Sequence, residues 1–242
     1  MIVNSTESGW EIIFQRAHEL LAVQIGWHWQ VKQRPRRWLE TLTAIGDHDN
    51  QQDKWQRAEH LTKAGAPIDF SQKVFSLQQA RNVVKVAQYK SRYVALLISM
   101  HVSYLYEGLR GDNKGLDELL DEQKQHQQKW RKSLSMSKQE AEAAYRLMHW
   151  CDRCSLILCR RQLPEDERRL EVFQGPDNET YHIWQRSQDS SLIIEPWPFE
   201  ENQFEVWVEA RQLEQLSFEN DEALADALMA AKPVEQRWTF RK

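Results

Sequence analysis

The sequence predicts a mainly helical α+β protein forming one domain over residues 1–242. A helical body spans 16–163 and is flanked by a small antiparallel sheet drawn from residues 1–15 and 168–242. Three observations lead there. The 242 residues include only 8 Gly and 7 Pro, about half of average usage, which disfavours a loop-rich sandwich. From Ala17 to Leu163 apolar residues recur at spacings of three and four, the period of helices with one buried face. After Arg169 the pattern changes to alternation and to β-branched or aromatic runs parted by turn residues.

The first strands are Met1–Val3 and Trp10–Phe14, joined by the turn-forming stretch Ser5–Gly9. Leu20, Leu21, Ile25 and Trp29 place a helix over Ala17–Trp29. A second helix begins after Pro35 and carries Trp38, Leu39, Leu42 and Ile45. The polar tract Gly46–Ser76 is too long for an ordinary connection and reads as a functional loop with one short helix. Ser76 is a good N-cap for a helix to about Tyr89, and Ser91–Gly108 forms another that is apolar on nearly every side. Asn113–Lys132 is polar with Leu116, Leu119 and Leu120 on one side. Ser137 then caps a long helix through Leu163, stopped by Pro164. Strands follow at Leu170–Gly175, Thr180–Gln185, Ser191–Phe199 and Phe204–Arg211, then a short helix at Asp221–Ala231 and a last strand near Arg237–Phe240.

Charge and composition exclude some functions. The 32 Lys and Arg against 36 Asp and Glu leave a net charge of −4, so no basic field is available to grip a phosphate backbone, and nucleic-acid binding by bulk charge is not expected. The three cysteines all lie between Cys151 and Cys159. They cannot staple distant segments, and their odd number suits a reducing compartment, the cytoplasm. The N-terminus lacks a basic segment followed by an apolar one, and the longest apolar run, Val94–Met100, is too short to cross a bilayer. Neither export nor membrane insertion is expected, and the sequence sets no oligomeric state. Eleven Trp in a chain of mean hydropathy −0.73 imply aromatic anchors packed among long polar side chains.

Ionisable residues at core positions carry the chemistry. His18 shares a helix face with Leu21 and Ala22, His101 lies among Leu97, Ile98, Tyr104 and Leu105, and Asp152 among Met148, Ser155 and Leu156. A buried carboxylate such as Asp152 needs an arginine, a hydrogen-bonding network or a metal. At the end of the second helix stands an adjacent pair, His48-Asp49. At a helix terminus the looser backbone lets the imidazole and the carboxylate reach one cation together. Imidazole nitrogen with carboxylate oxygen suits a divalent metal: Mn, Fe, Ni, Mg or Zn.

In chain order, His18, His48-Asp49, His101 and Asp152 resemble the H…HD…D pattern of the HD superfamily of metal-dependent phosphohydrolases. In that superfamily, helices of an all-α bundle converge a histidine, the His-Asp dyad and a late aspartate on a metal, and a dinuclear branch adds histidines between the dyad and the last aspartate. The resemblance implies an HD-like helical bundle and a metal set of His18, His48, Asp49, His101 and Asp152. It gives Asp49 the orientation or deprotonation of the attacking water, and gives His101 the role of second-metal ligand or general acid. Its implied substrate is a phosphate ester or anhydride of a small molecule or nucleotide. Arg16, Lys54, Lys85 and Arg153 stand near these residues in sequence as candidates for holding phosphate. A longer match is to an uncharacterised bacterial family, carried by the Met1–Val3 strand, the Ala17–Ile25 helix, His48-Asp49-Asn50 with Trp55, Ile68–Phe70, Leu96–Tyr106, Cys151–Cys159 and Pro196–Phe199.

The rival expectation is a non-catalytic ligand-binding or regulatory module on the same helical fold. Other histidines read as bland: His149 as a packing residue three before Asp152, and His28, His60, His126 and His182 as surface. Cys151-x-x-Cys154 sits inside an apolar helix with no second pair to complete a tetrahedral set, so it reads as core.

Overall fold

A computed structural model of the chain describes residues 1–49, 60–73 and 76–242. Helices α1 (Gln15–Trp27) and α2 (Trp38–Ile45) come first, and α3 (Leu77–Gln88) and α4 (Arg92–Tyr106) follow. Next are α5 (Lys114–Ser133) and α6 (Lys138–Cys159), and α7 (Asp221–Ala230) lies near the C-terminus. Side-chain caps start most of them: Ser76, Ser91, Asn113, Ser137 and Asn220 each accept a backbone N–H of the first turn. At α6 the cap is reciprocal, Glu140 reaching back to the Ser137 N–H at 2.8 Å. This helix ends at Cys159, short of the Leu163 expected from Pro164. Arg161 turns left-handed at φ 53°, and Gln162 N–H bonds back to Ile157 O at 2.9 Å, closing the helix before the proline is reached.

Strands β1 (Ile2–Thr6), β2 (Gly9–Ile13), β3 (Leu170–Gln174), β4 (Thr180–Gln185), β5 (Leu192–Glu195), β6 (Gln203–Leu213) and β7 (Pro233–Arg241) form one sheet in the order β1-β2-β6-β7-β5-β4-β3. All neighbours are antiparallel except β5 and β7, which run parallel with Leu192 opposite Phe240. The expected HD-like helical bundle with a small antiparallel sheet is therefore wrong: among the described residues the sheet has seven strands, is mixed, and forms a full layer. Along β6, Phe204, Val206, Val208 and Ala210 point inward and join the same core as Leu21, Ile25, Leu96 and Ile157 of the helices. Every strand of the sheet contributes its inward side chains to a core that the helices dominate. Strand β7 starts four residues before the expected Arg237, because its polar first half is held by backbone pairing to β6 rather than by apolar alternation. On the other face Met1, Ile12, Leu213, Phe218, Leu224 and Leu228 form a second cluster, which holds α7.

Helix α4 is buried over most of its surface and packs against α2, α3, α5 and α6, while α1 lies between α6, α2 and β6. Gly26 allows that approach: a Cβ there would stand 3.1 Å from Ile45 Cδ1 and 3.4 Å from Cys151 Sγ. Trp29 and Trp150 meet edge to face at 5.0 Å beside Tyr181 and Phe199, tying helices to sheet. Among the described residues no helix is long and apolar enough to cross a membrane.

Candidate metal centre

Four helices bring the ionisable residues together. His18 is on α1, His48 and Asp49 are in the turn that follows α2, His101 is on α4 and Asp152 on α6. His18, His48, His101 and Asp152 are each at most 5% exposed. The close packing of α1 on α2 and α6, permitted at Gly26, sets His18 and His48 against Asp152.

The two histidines are anchored alike. Nδ1 of His18 bonds the Gln15 carbonyl, and Nδ1 of His48 bonds the Ile45 carbonyl at 2.7 Å, in each case three residues earlier in the chain. A carbonyl only accepts, so Nδ1 carries a proton in both rings, and a neutral ring then presents a bare lone pair at Nε2. Both Nε2 atoms face the same carboxylate oxygen, Asp152 Oδ1, at 3.4 Å from His18 and 3.1 Å from His48. Lone pairs aimed at an anionic oxygen repel unless a proton or a metal cation stands between them. The tautomers thus create a place for a positive charge.

Further donors surround this point. Asp49 Oδ2 lies 3.7 Å from His48 Nε2 and accepts a hydrogen bond from Gln15 Nε2 at 2.7 Å. The His101 ring stands edge-on to His48 at 5.2 Å, and its Nδ1 is 3.4 Å from the Tyr145 hydroxyl. His149 Nδ1 is 3.8 Å from the other carboxylate oxygen, Asp152 Oδ2. Among the described residues three overlapping sets result, each with its ligand atoms within 4.8 Å of one another: His18–His48–Asp152, His48–Asp49–His101 and His101–His149–Asp152.

Electrostatics follow from burial and from this crowding. Burial would lower the His48 pKa, but the Asp152 and Asp49 carboxylates outweigh it and push it up to about 10. Burial opposes ionisation of Asp152 too, yet the charge on His48 holds its carboxyl well below the usual range. His101 is lowered to about 4 by burial and by the neighbouring His48. Glu19 on α1 is raised to about 8 by burial. Without a metal, the positive place is filled by a proton on His48.

A pocket of about 470 Å³ opens beside His48, Asp49 and His101. Val83, Val102 and Leu105 make its wall largely apolar, and Ser71, Lys73 and Gln79 add polar groups. Of the phosphate-holding candidates, Arg16, Lys85 and Arg153 do not line it, whereas Lys73 does. Arg16 and Lys85 are exposed on the outer faces of α1 and α3. Lys54, like Asn50 and Trp55, lies outside the described residues.

His149 belongs to the cluster although sequence reasoning set it aside as packing. Its spacing of three from Asp152 puts both on one helix face, and that spacing was the available signal. His60, expected at the surface, is fully buried. All three cysteines are buried and free, with their thiols pushed up by burial, as core packing requires.

The chain belongs to the family DUF3891, described as a protein of unknown function, whose pattern matches residues 1–215. No curated protein and no solved structure matches it.

Proposed function

We propose that the cluster is the metal centre of a hydrolase acting on a phosphate ester or anhydride of a small molecule or nucleotide. The observation that carries the reading is the pair of Nδ1-anchored histidines whose Nε2 atoms converge on Asp152 Oδ1. That is the arrangement of imidazole ligands fixed by outer-shell carbonyls, completed by a carboxylate. A bound divalent cation would supply Lewis acidity at a phosphoryl oxygen and make a water acidic enough to attack.

The chain's own groups divide the remaining work. His18, His48 and Asp152 hold the ion. Asp49, oriented by the Gln15 amide, takes the proton of the attacking water. His101 is kept neutral by burial, which suits it to be a ligand rather than a general acid. Lys73 and Ser71, on the pocket wall, meet the phosphate oxygens, and the apolar wall takes the organic part of the substrate.

The test is release of inorganic phosphate from a panel of phosphomonoesters, diesters and nucleotides, with Mn²⁺, Fe²⁺, Ni²⁺, Mg²⁺ or Zn²⁺ added to stripped protein. Turnover that requires a metal and falls in Asp49→Asn is expected. The largely apolar wall also favours a second reading, a non-catalytic ligand-binding module. That reading expects binding of an organic ligand with no phosphate release under any metal.

A further inference from the structure

A second pocket, of about 280 Å³, lies where the segment before α2 meets the start of α6. It shares no lining residue with the pocket beside the metal cluster. Three of its lining residues are arginines within four positions, Arg34, Arg36 and Arg37, opposed by one carboxylate, Glu140. Glu140 is already engaged as the cap of α6 through the Ser137 N–H. The three guanidinium groups outnumber Glu140 and the Glu40 carboxylate paired with Arg37, so the pocket keeps an excess of positive charge.

Arg34 is held rigidly for a surface arginine. Its Nε and Nη2 donate to the carbonyls of Trp29 and Trp27 at 2.7 and 3.0 Å, and its guanidinium lies over the Trp38 ring at 4.9 Å. Its Nη1 makes no hydrogen bond among the described residues. Arg36 has no carboxylate within salt-bridge distance among them, while Arg37 pairs with Glu40 at 2.7 Å and leans over the Tyr93 ring. The opposite wall is apolar, from Leu134, Met136 and Ala143.

We infer that this pocket binds a small organic anion: a phosphate, phosphonate or carboxylate group carried on a compact apolar body. Guanidinium groups match such anions by paired N–H donors. The volume sits at the small end of ligand pockets. The apolar wall favours an anion with a hydrocarbon or aromatic part over a bare ion. This inference stands apart from the metal-centre reading.

Its test is calorimetric titration of the full, metal-stripped chain with phenylphosphonate and, separately, with inorganic phosphate. Phenylphosphonate should bind at least about tenfold more tightly than phosphate, a gap that burial of a ring readily supplies. R36Q/R37Q should weaken it by about tenfold or more, since charge-assisted hydrogen bonds are lost. Ala143→Leu, which fills the pocket, should abolish binding, and Asp152→Asn should leave it unchanged. Arg36 and Arg37 are exposed, so their double variant keeps the test decisive if Ala143→Leu fails to fold. Unaltered binding in R36Q/R37Q, equal affinity for bare phosphate, loss in Asp152→Asn, or no saturable binding up to about 10 mM would each overturn the inference.

Discussion

His48 Nε2 lies 3.1 Å from Asp152 Oδ1, although the two residues stand 104 positions apart in the chain. One follows α2 and the other is in the interior of α6, and each is almost fully buried. An imidazole and a carboxylate so placed are bridged by a proton or by a cation. The two cases differ in how the protein responds to mutation, to pH and to metal.

Asp152→Asn keeps the volume and removes the charge. In a metal centre the ion loses an anionic ligand, so bound metal should fall and the rise in melting temperature on adding Mn²⁺ should vanish with the fold retained. In metal-free protein the cost should be about 1–3 kcal/mol, because His48 sheds its proton rather than staying charged beside an amide. Circular dichroism melts with and without Mn²⁺ check this. A variant that takes up metal like the parent removes Asp152 from the ligand set.

The metal-free protein should lose stability as pH rises from 6.5 to about 10. His48 has its folded pKa raised from 6.5 to about 10. Below 6.5 folded and unfolded chains both hold the proton and the stabilisation is complete; above that value the unfolded chain gives it up first, and by about pH 10 the contribution is gone. Asp152 has the opposite sign, its contribution being present above the ordinary 3.8 and lost as pH falls through its lowered folded value. Metal-loaded protein needs a neutral imidazole and should lose the His48 slope, staying flat above about pH 8, where Glu19 has also titrated. Melting temperatures with chelator and with Mn²⁺ across that range decide it, and parallel curves would contradict the account.

His149→Phe should fold, since the ring sits 4.4 Å from both Tyr104 and Phe173 in an aromatic setting that accepts a phenyl group. Removal of its nitrogen should weaken metal binding by about 10–100-fold if it supports the cluster. Competition against a fluorescent chelator measures this. Unchanged affinity would return His149 to a packing role.

Glu11→Gln tests the sheet rather than the cluster. The buried carboxylate accepts hydrogen bonds from Arg161 at 2.6 Å, Gln212 at 2.9 Å and Asn4 at 3.0 Å, and from Gln236. An amide in its place sets N–H groups against donors, at about 1–3 kcal/mol. Stability should drop while metal content stays that of the parent. A loss of metal here would tie the sheet to the site in a way the geometry does not provide.

What the sequence disclosed depended on how local the evidence was. Helices α3 and α6 were legible from their caps at Ser76 and Ser137; His18, His101 and Asp152 from polar residues standing on apolar faces; and His48 from its pairing with Asp49 at a helix end. The sheet was less legible, because the parallel contact of β5 with β7 joins Leu192 to Phe240 across the intervening β6 and α7 and leaves no local pattern. The polar start of β7 owes its structure to a partner strand. His149 was visible as a neighbour of Asp152 on one helix face, but spacing alone does not say which way that part of the face points.

The most direct measurement is the metal content of the protein purified without a nickel-affinity step, by plasma mass spectrometry, together with its melting temperature before and after chelation. The account predicts about one divalent ion or more per chain, and a melting point that falls on chelation and recovers with added metal. Protein that holds no metal, and that melts at the same temperature in chelator and in excess Mn²⁺, would contradict it.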